Sequence, residues 1–247
     1  MNKNLFIKEI ISNFEDNDLL INEQKSKIFY EFYEYIINEN KKYNLTTIVE
    51  PTDVIKKHFL DSILPLVEVS NKIKNFNYDN YKNIIDFGCG AGFPLMPYLI
   101  YLSDQRNKLN FEYIFVDSSK KKIAFISEFI SNNKFLNNFD ILCIQSRLEN
   151  LHNKNFKHEN TLVIGRAITK FNQLIKYILE FIKLNAISKL SFIYLTGPNF
   201  IKPSRALLKN CFGSKYAISF DSYNYEYANK TIKRGVFYLE IKRITPN

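Results

Sequence analysis

The chain has 247 residues, 46% of them hydrophobic, which is enough for one α/β domain with a modest extension. Its 34 Lys and Arg against 25 Asp and Glu give a net charge of +9, compatible with a nucleic-acid partner, although an AT-rich coding sequence also accounts for many lysines. Three scattered cysteines exclude a disulfide framework or a metal cluster, and no apolar run reaches the roughly 20 residues of a membrane span, so we expect a cytoplasmic protein.

Residues 1–70 are predicted to form a helical subdomain. Apolar residues recur at helical spacing from Phe6 onward, and a second helix over 22–40 has enough apolar positions to pack on two sides. A third helix is predicted to begin at Pro51, since proline is tolerated in a first helical turn. The Lys- and Asn-rich stretch 71–82 is predicted to be a linker.

Residues 83–247 are predicted to form a parallel α/β domain, because strands and helices alternate along this part of the chain. The predicted strands are short apolar runs at about 84–87, 111–116, 139–144, 162–165 and 190–195. Helices are predicted from Ser119 and over 171–183. The last two strands, 215–221 and 235–242, are predicted to form a hairpin with a long polar link.

Glycines are concentrated where the first of these strands ends. Three of the chain's seven glycines, Gly88, Gly90 and Gly92, fall within five positions shortly after Asp86. This G-x-G-x-G spacing differs from the G-x-G-x-x-G of dinucleotide sites, which argues against an NAD-dependent reductase. Together with Asp86 it resembles the S-adenosylmethionine (SAM) loop of Rossmann-like methyltransferases. The alternative is a tight strand–helix turn without a ligand.

Two carboxylates follow later strands. Asp117 ends the second strand, where it can accept hydrogen bonds from two ribose hydroxyls; the alternative is an N-cap for the next helix. Ser146 and Glu149 follow the third strand in an S-x-x-E pattern, which by itself is typical of a capping box. In a ligand site the same turn would lie against the adenine.

Charged residues at strand ends and on the third helix are further candidates. Arg147 and Arg166 follow the third and fourth strands, where they are predicted to face one crevice and to hold RNA phosphate or stack on a base. The alternative for each is a local ion pair. His58 and Asp61 share a helix face, and a structural His–Asp hydrogen bond is favoured there because a metal site would need more ligands.

These motifs, in this order, resemble the RsmG/GidB family of bacterial methyltransferases, which act on guanine N7 in small-subunit ribosomal RNA. The segments that carry the resemblance are Lys-Tyr-Asn-Leu-Thr at 42–46, His-Phe-Leu-Asp-Ser-Ile at 58–63, Asp-Phe-Gly-Cys-Gly-Ala-Gly-Phe-Pro at 86–94, Val-Asp-Ser at 116–118, Gln-Ser-Arg at 145–147 and Arg-Ala at 166–167. The similarity extends over roughly residues 30–240.

The resemblance implies a Rossmann-like class I SAM-dependent methyltransferase fold with an N-terminal helical extension, SAM as cofactor, and 16S ribosomal RNA or the small ribosomal subunit as partner. It places cofactor positions at Gly88, Phe93, Leu148, Glu149 and Arg166. Together with Asp86, Gly90 and Asp117 at the strand ends and the glycine loop, the predicted cofactor set is Asp86, Gly88, Gly90, Phe93, Asp117, Leu148, Glu149 and Arg166. Guanine N7 carries a free lone pair and loses no proton, so no catalytic base is predicted, and Arg147 and Arg166 would orient RNA.

The sequence departs from the family pattern in three places. Residues 94–97 read Pro-Leu-Met-Pro where Pro-Gly-Ile-Pro is usual, and Gly165 stands where serine is expected. Thr196 replaces a lysine that would contact RNA phosphate, and Lys202 or Arg205 could substitute for it.

The sequence is also compatible with two other functions. One is a SAM enzyme acting on a small molecule or protein, and the other is a non-catalytic RNA-binding or ribosome-assembly protein on a methyltransferase fold. The helical N-terminal part is predicted to line one side of the RNA site, and we expect a monomer without a membrane segment.

Overall fold

The computed structural model describes residues 1–103, 111–152, 160–168 and 170–244. Within these residues seven strands form one sheet, in the order β3-β2-β1-β4-β5-β7-β6. The strands are β1 (Asn83–Phe87), β2 (Glu112–Asp117), β3 (Asp140–Gln145), β4 (Asn160–Arg166), β5 (Lys189–Thr196), β6 (Tyr216–Tyr227) and β7 (Ile232–Arg243). Strands β1 to β5 are parallel, and β7 lies antiparallel between β5 and β6.

The strand order reverses beside β1, and this reversal positions the site. The chain places β2 and then β3 on one side of β1, and it places β4 on the other side. A crevice opens outside the carboxyl ends of the strands at such a switch point, and ligands of open α/β sheets bind there. The predicted glycine loop begins at the end of β1, directly at this crevice.

Helices cover both faces of the sheet. They are α1 (Lys3–Glu15), α2 (Glu23–Tyr43), α3 (Pro51–Val54), α4 (Asp61–Lys72), α5 (Leu95–Leu102), α6 (Lys120–Asn132), α7 (Phe171–Leu184) and α8 (Arg205–Phe212). A six-residue π-helical segment, Ile55–Leu60, joins α3 to α4. Helices α1 to α6 contribute to one hydrophobic cluster, and α7 and α8 contribute to the other.

The alternation of side chains along the buried strands explains the two clusters. In β2, Tyr113 and Phe115 belong to the cluster with the N-terminal helices, whereas Ile114 and Val116 belong to the cluster with α7. Successive residues of a strand point to opposite faces, so a strand that is apolar at every position can be covered on both sides.

The N-terminal helices pack against α5 and α6. Phe32 in α2 lies 4.7 Å from Phe129 of α6 and 5.9 Å from Phe93 after the glycine loop, measured between ring centroids. Within the stretch predicted as a linker, Phe76 and Tyr81 are buried in the same cluster. The division into 1–70, 71–82 and 83–247 stays a prediction.

The C-terminal hairpin differs from the prediction. Both strands have 12 residues and only residues 228–231 separate them, so the expected long polar link is wrong. The error has a physical cause: β6 is an edge strand whose polar residues alternate with half-buried ones, because one of its faces meets solvent. Helix α8 was not predicted from the sequence; Ser204 caps it by accepting a hydrogen bond from the Leu207 N–H.

Candidate functional site

The glycine loop turns the chain from β1 into α5. Gly88, Gly90 and Gly92 have φ of 68°, 57° and 91°, a region that other residues rarely adopt. The Gly90 N–H donates to Asp117 Oδ2 at 3.1 Å, which ties the loop to the end of β2. A Cβ on Gly92 would lie 3.1 Å from Met96 Cβ, so the loop also needs the absence of a side chain there.

Asp86 lies beneath this loop and is completely buried. Its Oδ2 accepts a hydrogen bond from the Leu95 N–H at 3.1 Å, and its Oδ1 has no hydrogen-bond partner among the described residues. Burial raises the pKa of Asp86 to about 8, against the opposing effect of the Leu95 hydrogen bond. Asp86 is therefore mostly protonated at neutral pH and supports the start of α5.

A cavity of about 380 Å³, here called the loop cavity, lies at the carboxyl ends of β1, β2 and β3. Its lining residues are Phe87, Gly88, Asp117, Ser118, Lys122, Ser146, Arg147, Glu149, Ala167, Ile168 and Tyr177. The volume is within the range of small-molecule sites. The structure thus brings together Gly88, Asp117 and Glu149 of the predicted cofactor set, along with Arg147.

Asp117 lines the loop cavity and also accepts a main-chain hydrogen bond at the end of β2. Its Oδ1 accepts the Ser119 N–H at 2.8 Å just before α6, although Ser119 and not Asp117 is the N-cap residue. Lys122 Nζ lies 3.8 Å from Oδ2. Each carboxylate oxygen has two lone pairs, so Asp117 can still accept hydrogen bonds from a ligand in the loop cavity.

The turn after β3 does not form the capping box. The Ser146 hydroxyl donates to the Arg147 carbonyl at 2.9 Å, and the 3₁₀ turn Leu148–Asn150 has no side-chain cap. Glu149 lines the loop cavity, whereas the Leu148 side chain is fully buried in the cluster beneath α7.

Phe93 lies behind the glycine loop and not among the residues that line the loop cavity. It is buried, and its ring stacks on His58 with centroids 4.2 Å apart. The expected His58–Asp61 hydrogen bond is wrong, because His58 has other partners. Its Nε2 lies 2.8 Å from Thr46 Oγ1, and its Nδ1 lies 3.3 Å from the guanidinium of Arg166.

His58 is held as a neutral ring. Desolvation, with the charge of Arg166, lowers the pKa of His58 to about 3. A guanidinium can only donate, so Nδ1 accepts and Nε2–H donates to Thr46. Thr46 is fixed in turn by Asn40, whose amide exchanges two 2.9 Å hydrogen bonds with the Thr46 main chain. The two N-terminal motifs therefore meet in one chain of contacts that ends at Arg166.

A second cavity of about 450 Å³, here called the arginine cavity, lies beyond the ends of β4 and β5. It shares Ala167 with the loop cavity, and it is lined by Asp61, Arg166, Ala167, Tyr194, Leu195, Thr196, Gly197, Pro198, Asn199, Phe200 and Arg234. Arg147 and Arg166 were predicted to face one crevice, but they line different cavities. Lys202 and Arg205 do not line the arginine cavity, whereas Arg234, which sequence analysis missed, does.

Asp61 organises the charges of the arginine cavity. Its carboxylate lies 3.3 Å from Arg166 Nη1 and 3.1 Å from Arg234 Nε, and the Tyr225 hydroxyl donates to it at 3.3 Å. Arg166 thus has the ion pair that was the alternative to an RNA contact. No local pattern signals Arg234, because it enters from β7, 173 residues after Asp61.

Among the described residues, no group of three or more His, Cys, Asp or Glu side chains is arranged to hold a metal ion. The helices of the described part of the chain are all too short or too polar to cross a membrane.

Comparisons with known proteins agree on the fold and the family. The sequence profile described as "rRNA small subunit methyltransferase G" (GidB) matches residues 25–190. Two relatives with the name "Ribosomal RNA small subunit methyltransferase G" are each 32% identical. The alignment with the relative from Oenococcus oeni covers 71% of this chain and 67% of that relative. The alignment with the relative from Lactobacillus johnsonii covers 80% of this chain and 74% of that relative.

A solved structure supports the fold alone. The magnesium protoporphyrin IX methyltransferase of Synechocystis PCC 6803, solved with bound SAM, covers 86% of this chain and 97% of its own, with a TM-score of 0.50 and 13% identity. The predicted class I methyltransferase fold is confirmed. The profile matches most of the chain, and the alignments with the two relatives cover at least two thirds of each relative's length. The chain therefore belongs to the GidB family of rRNA small subunit methyltransferase G.

Proposed function

We infer that this protein transfers a methyl group from SAM to N7 of a guanine in 16S ribosomal RNA. The observation that carries this proposal is the pair of adjacent cavities that share Ala167. The loop cavity has carboxylates and a glycine turn, as a nucleoside requires. The arginine cavity has arginines and the aromatic side chains of Tyr194 and Phe200, as a nucleotide of RNA requires.

The residues of the loop cavity fit SAM. Asp117 and Glu149 supply hydrogen-bond acceptors for ribose hydroxyls and an exocyclic amine, and Gly88 allows close approach of the ligand. We propose that Asp86, Gly90 and Phe93 act from behind the loop by fixing its shape. Leu148 would contribute through its main chain, and Arg166, which lines the arginine cavity next to the shared residue Ala167, would contact the ligand from that side. When bound, SAM supplies an electrophilic methyl group on a positively charged sulfur.

The side chains around the arginine cavity suit a reaction without a proton transfer. With SAM bound, guanine N7 would use its own lone pair to bond to the methyl carbon that SAM supplies, and the electron pair of the former carbon–sulfur bond would remain with SAM as the leaving group. Asp61 is ion-paired on both sides, and His58 is neutral with both ring nitrogens engaged. Among the described residues these groups therefore position the reactants, and positioning can supply roughly 7–11 kcal/mol of the barrier.

Asp117→Ala tests the proposal. We expect this variant to lose SAM binding by calorimetry and the transfer of labelled methyl groups to small-subunit RNA. Asp140→Ala is the matched control, because Asp140 is an exposed carboxylate at the opposite end of the neighbouring strand β3. Mapping of N7-methylguanine by chemical cleavage, with and without the gene, identifies the product. Label that appears only in a small molecule or a protein would refute the RNA substrate, and wild-type protein that binds no SAM would favour the non-catalytic alternative.

We also propose that the protein acts in the cytoplasm as a monomer and that its N-terminal helices line one side of the RNA site. Deletion of residues 1–40 cannot test the last point, because it removes Phe29 and Phe32 from the core. Replacing the exposed Lys41 and Lys42 by glutamine tests it instead. RNA methylation should fall while SAM affinity stays unchanged; an equal effect on both would contradict the proposal.

A further inference from the structure

Asp61 fixes two arginines that come from distant strands. Arg166 stands at the end of β4 and Arg234 near the start of β7, and both reach the carboxylate within 3.3 Å. The Asp61 side chain is 4% exposed, whereas those of Arg166 and Arg234 are 18% and 28% exposed. The carboxylate is therefore a buried anchor, and the arginines form its outer layer.

Arg234 is the member of this group that can bind another partner. Its Nε–H donates to Asp61, and its Nη1 donates to the Lys233 carbonyl at 3.0 Å. A guanidinium has five N–H donors, so these two contacts leave three for a ligand. Arg166 has fewer N–H donors available for a ligand, because its Nη2 donates to the Lys57 carbonyl at 2.9 Å and lies 3.3 Å from His58 Nδ1.

The position of Arg234 is fixed by tight packing between two strands. Thr196 at the end of β5 pairs with Gly235, and a Cβ at Gly235 would lie 2.6 Å from Thr196 Oγ1 and 3.0 Å from Asn224 Oδ1. The main chain beside Arg234 therefore has little freedom. A guanidinium held at its Nε edge is preorganised, and its remaining donors match the geometry of a phosphate.

The charge of the group favours an anion. Two guanidinium groups and one carboxylate leave one uncompensated positive charge at a cavity that is open to solvent. We propose that Arg234, held by Asp61, binds a backbone phosphate of the RNA strand beside the target guanine. This inference rests on the proposed function. The other anion at hand is the carboxylate of SAM, but Arg234 lines the arginine cavity and is not among the residues of the loop cavity.

The test compares Arg234→Gln with Arg243→Gln. Both changes remove one positive charge from β7, but Arg243 is exposed at the far end of the strand, where it pairs with Tyr216. RNA binding is measured across a range of salt concentrations, and SAM binding is measured by calorimetry. For Arg234→Gln we expect RNA affinity to fall about tenfold or more, the slope of log K against log salt to shrink by about 0.7–0.9, and SAM affinity to stay unchanged.

Arg234→Lys is a control for misfolding, because lysine keeps the positive charge but lacks the forked geometry of the guanidinium. It should keep the wild-type salt slope with intermediate affinity. Equal slopes for Arg234→Gln and Arg243→Gln would overturn the inference, and so would a loss of SAM affinity with an unchanged slope. These binding measurements need no methyl transfer. If the wild-type protein methylates RNA but the two glutamine variants have equal salt slopes, only the phosphate contact is refuted. If the slopes of the variants differ but the wild-type protein does not methylate RNA, only the proposed reaction is refuted.

Discussion

Asp86→Asn should stabilise the protein increasingly as the pH rises from 5 to 7. The wild-type carboxyl group is completely buried under the glycine loop, and its pKa is raised from 3.8 to about 8, chiefly by desolvation. Asparagine has nearly the same shape and cannot ionise. The comparison therefore isolates the free energy of keeping a proton on a buried acid.

The sign and size follow from linkage between protonation and folding. A group whose pKa is higher in the folded state stabilises fully below the unfolded value, and this stabilisation is lost as pH rises toward the folded value. Each pH unit between 3.8 and about 8 changes the free energy of unfolding by about 1.4 kcal/mol. Between pH 5 and pH 7, the stability of Asp86→Asn relative to wild type should rise by about 2–3 kcal/mol.

The measurement is urea unfolding of both proteins at pH 5, 6 and 7, without SAM. Asp53→Asn gives the baseline, since its carboxylate is 44% exposed on α3. A relative stability of Asp86→Asn that changes by less than about 0.5 kcal/mol over this range would refute the reasoning, because each pH unit should contribute almost three times that amount. In that case water or a cation would have to reach the carboxylate.

Two further predictions concern the charged group and the loop. Asp61→Asn should lower the free energy of unfolding, measured in urea, by about 3–5 kcal/mol, because it leaves two arginines without their buried partner. Adding Arg234→Gln to this variant should recover part of the lost stability. The control Asp53→Asn should lower the free energy of unfolding by no more than about 0.5 kcal/mol. Gly92→Ala should lower it by about 1–3 kcal/mol, given the φ of 91° and the nearby Met96 side chain. Gly197→Ala is its control, since no atom lies within 4 Å of the added Cβ, and an equal loss of stability there would contradict the explanation.

The elements with a strong local pattern could be predicted from the sequence. Strands β1 to β5 are largely apolar segments of five to eight residues, and the bounds predicted for them differ from the observed ones by at most two residues. The glycine loop, Asp117 and Glu149 were predicted to lie together because they stand at or shortly after strand ends, and parallel strands bring their carboxyl ends to one edge of the sheet. The polar edge strand β6 was predicted too short, because its exposed face gives no continuous apolar signal.

The parallel sheet, the glycine turn and the carboxylates at the strand ends could be predicted, because each depends on residues that are neighbours in the chain. Which charged side chains form pairs depends on contacts between distant parts of the chain. Asp61 forms ion pairs with Arg166 and Arg234 and does not bond to His58, which contacts Thr46. The strand order and the packing of the N-terminal helices bring these residues together across as many as 173 positions of the sequence. The raised pKa of Asp86 likewise depends on the tertiary structure, because the burial that raises it is a property of the whole fold.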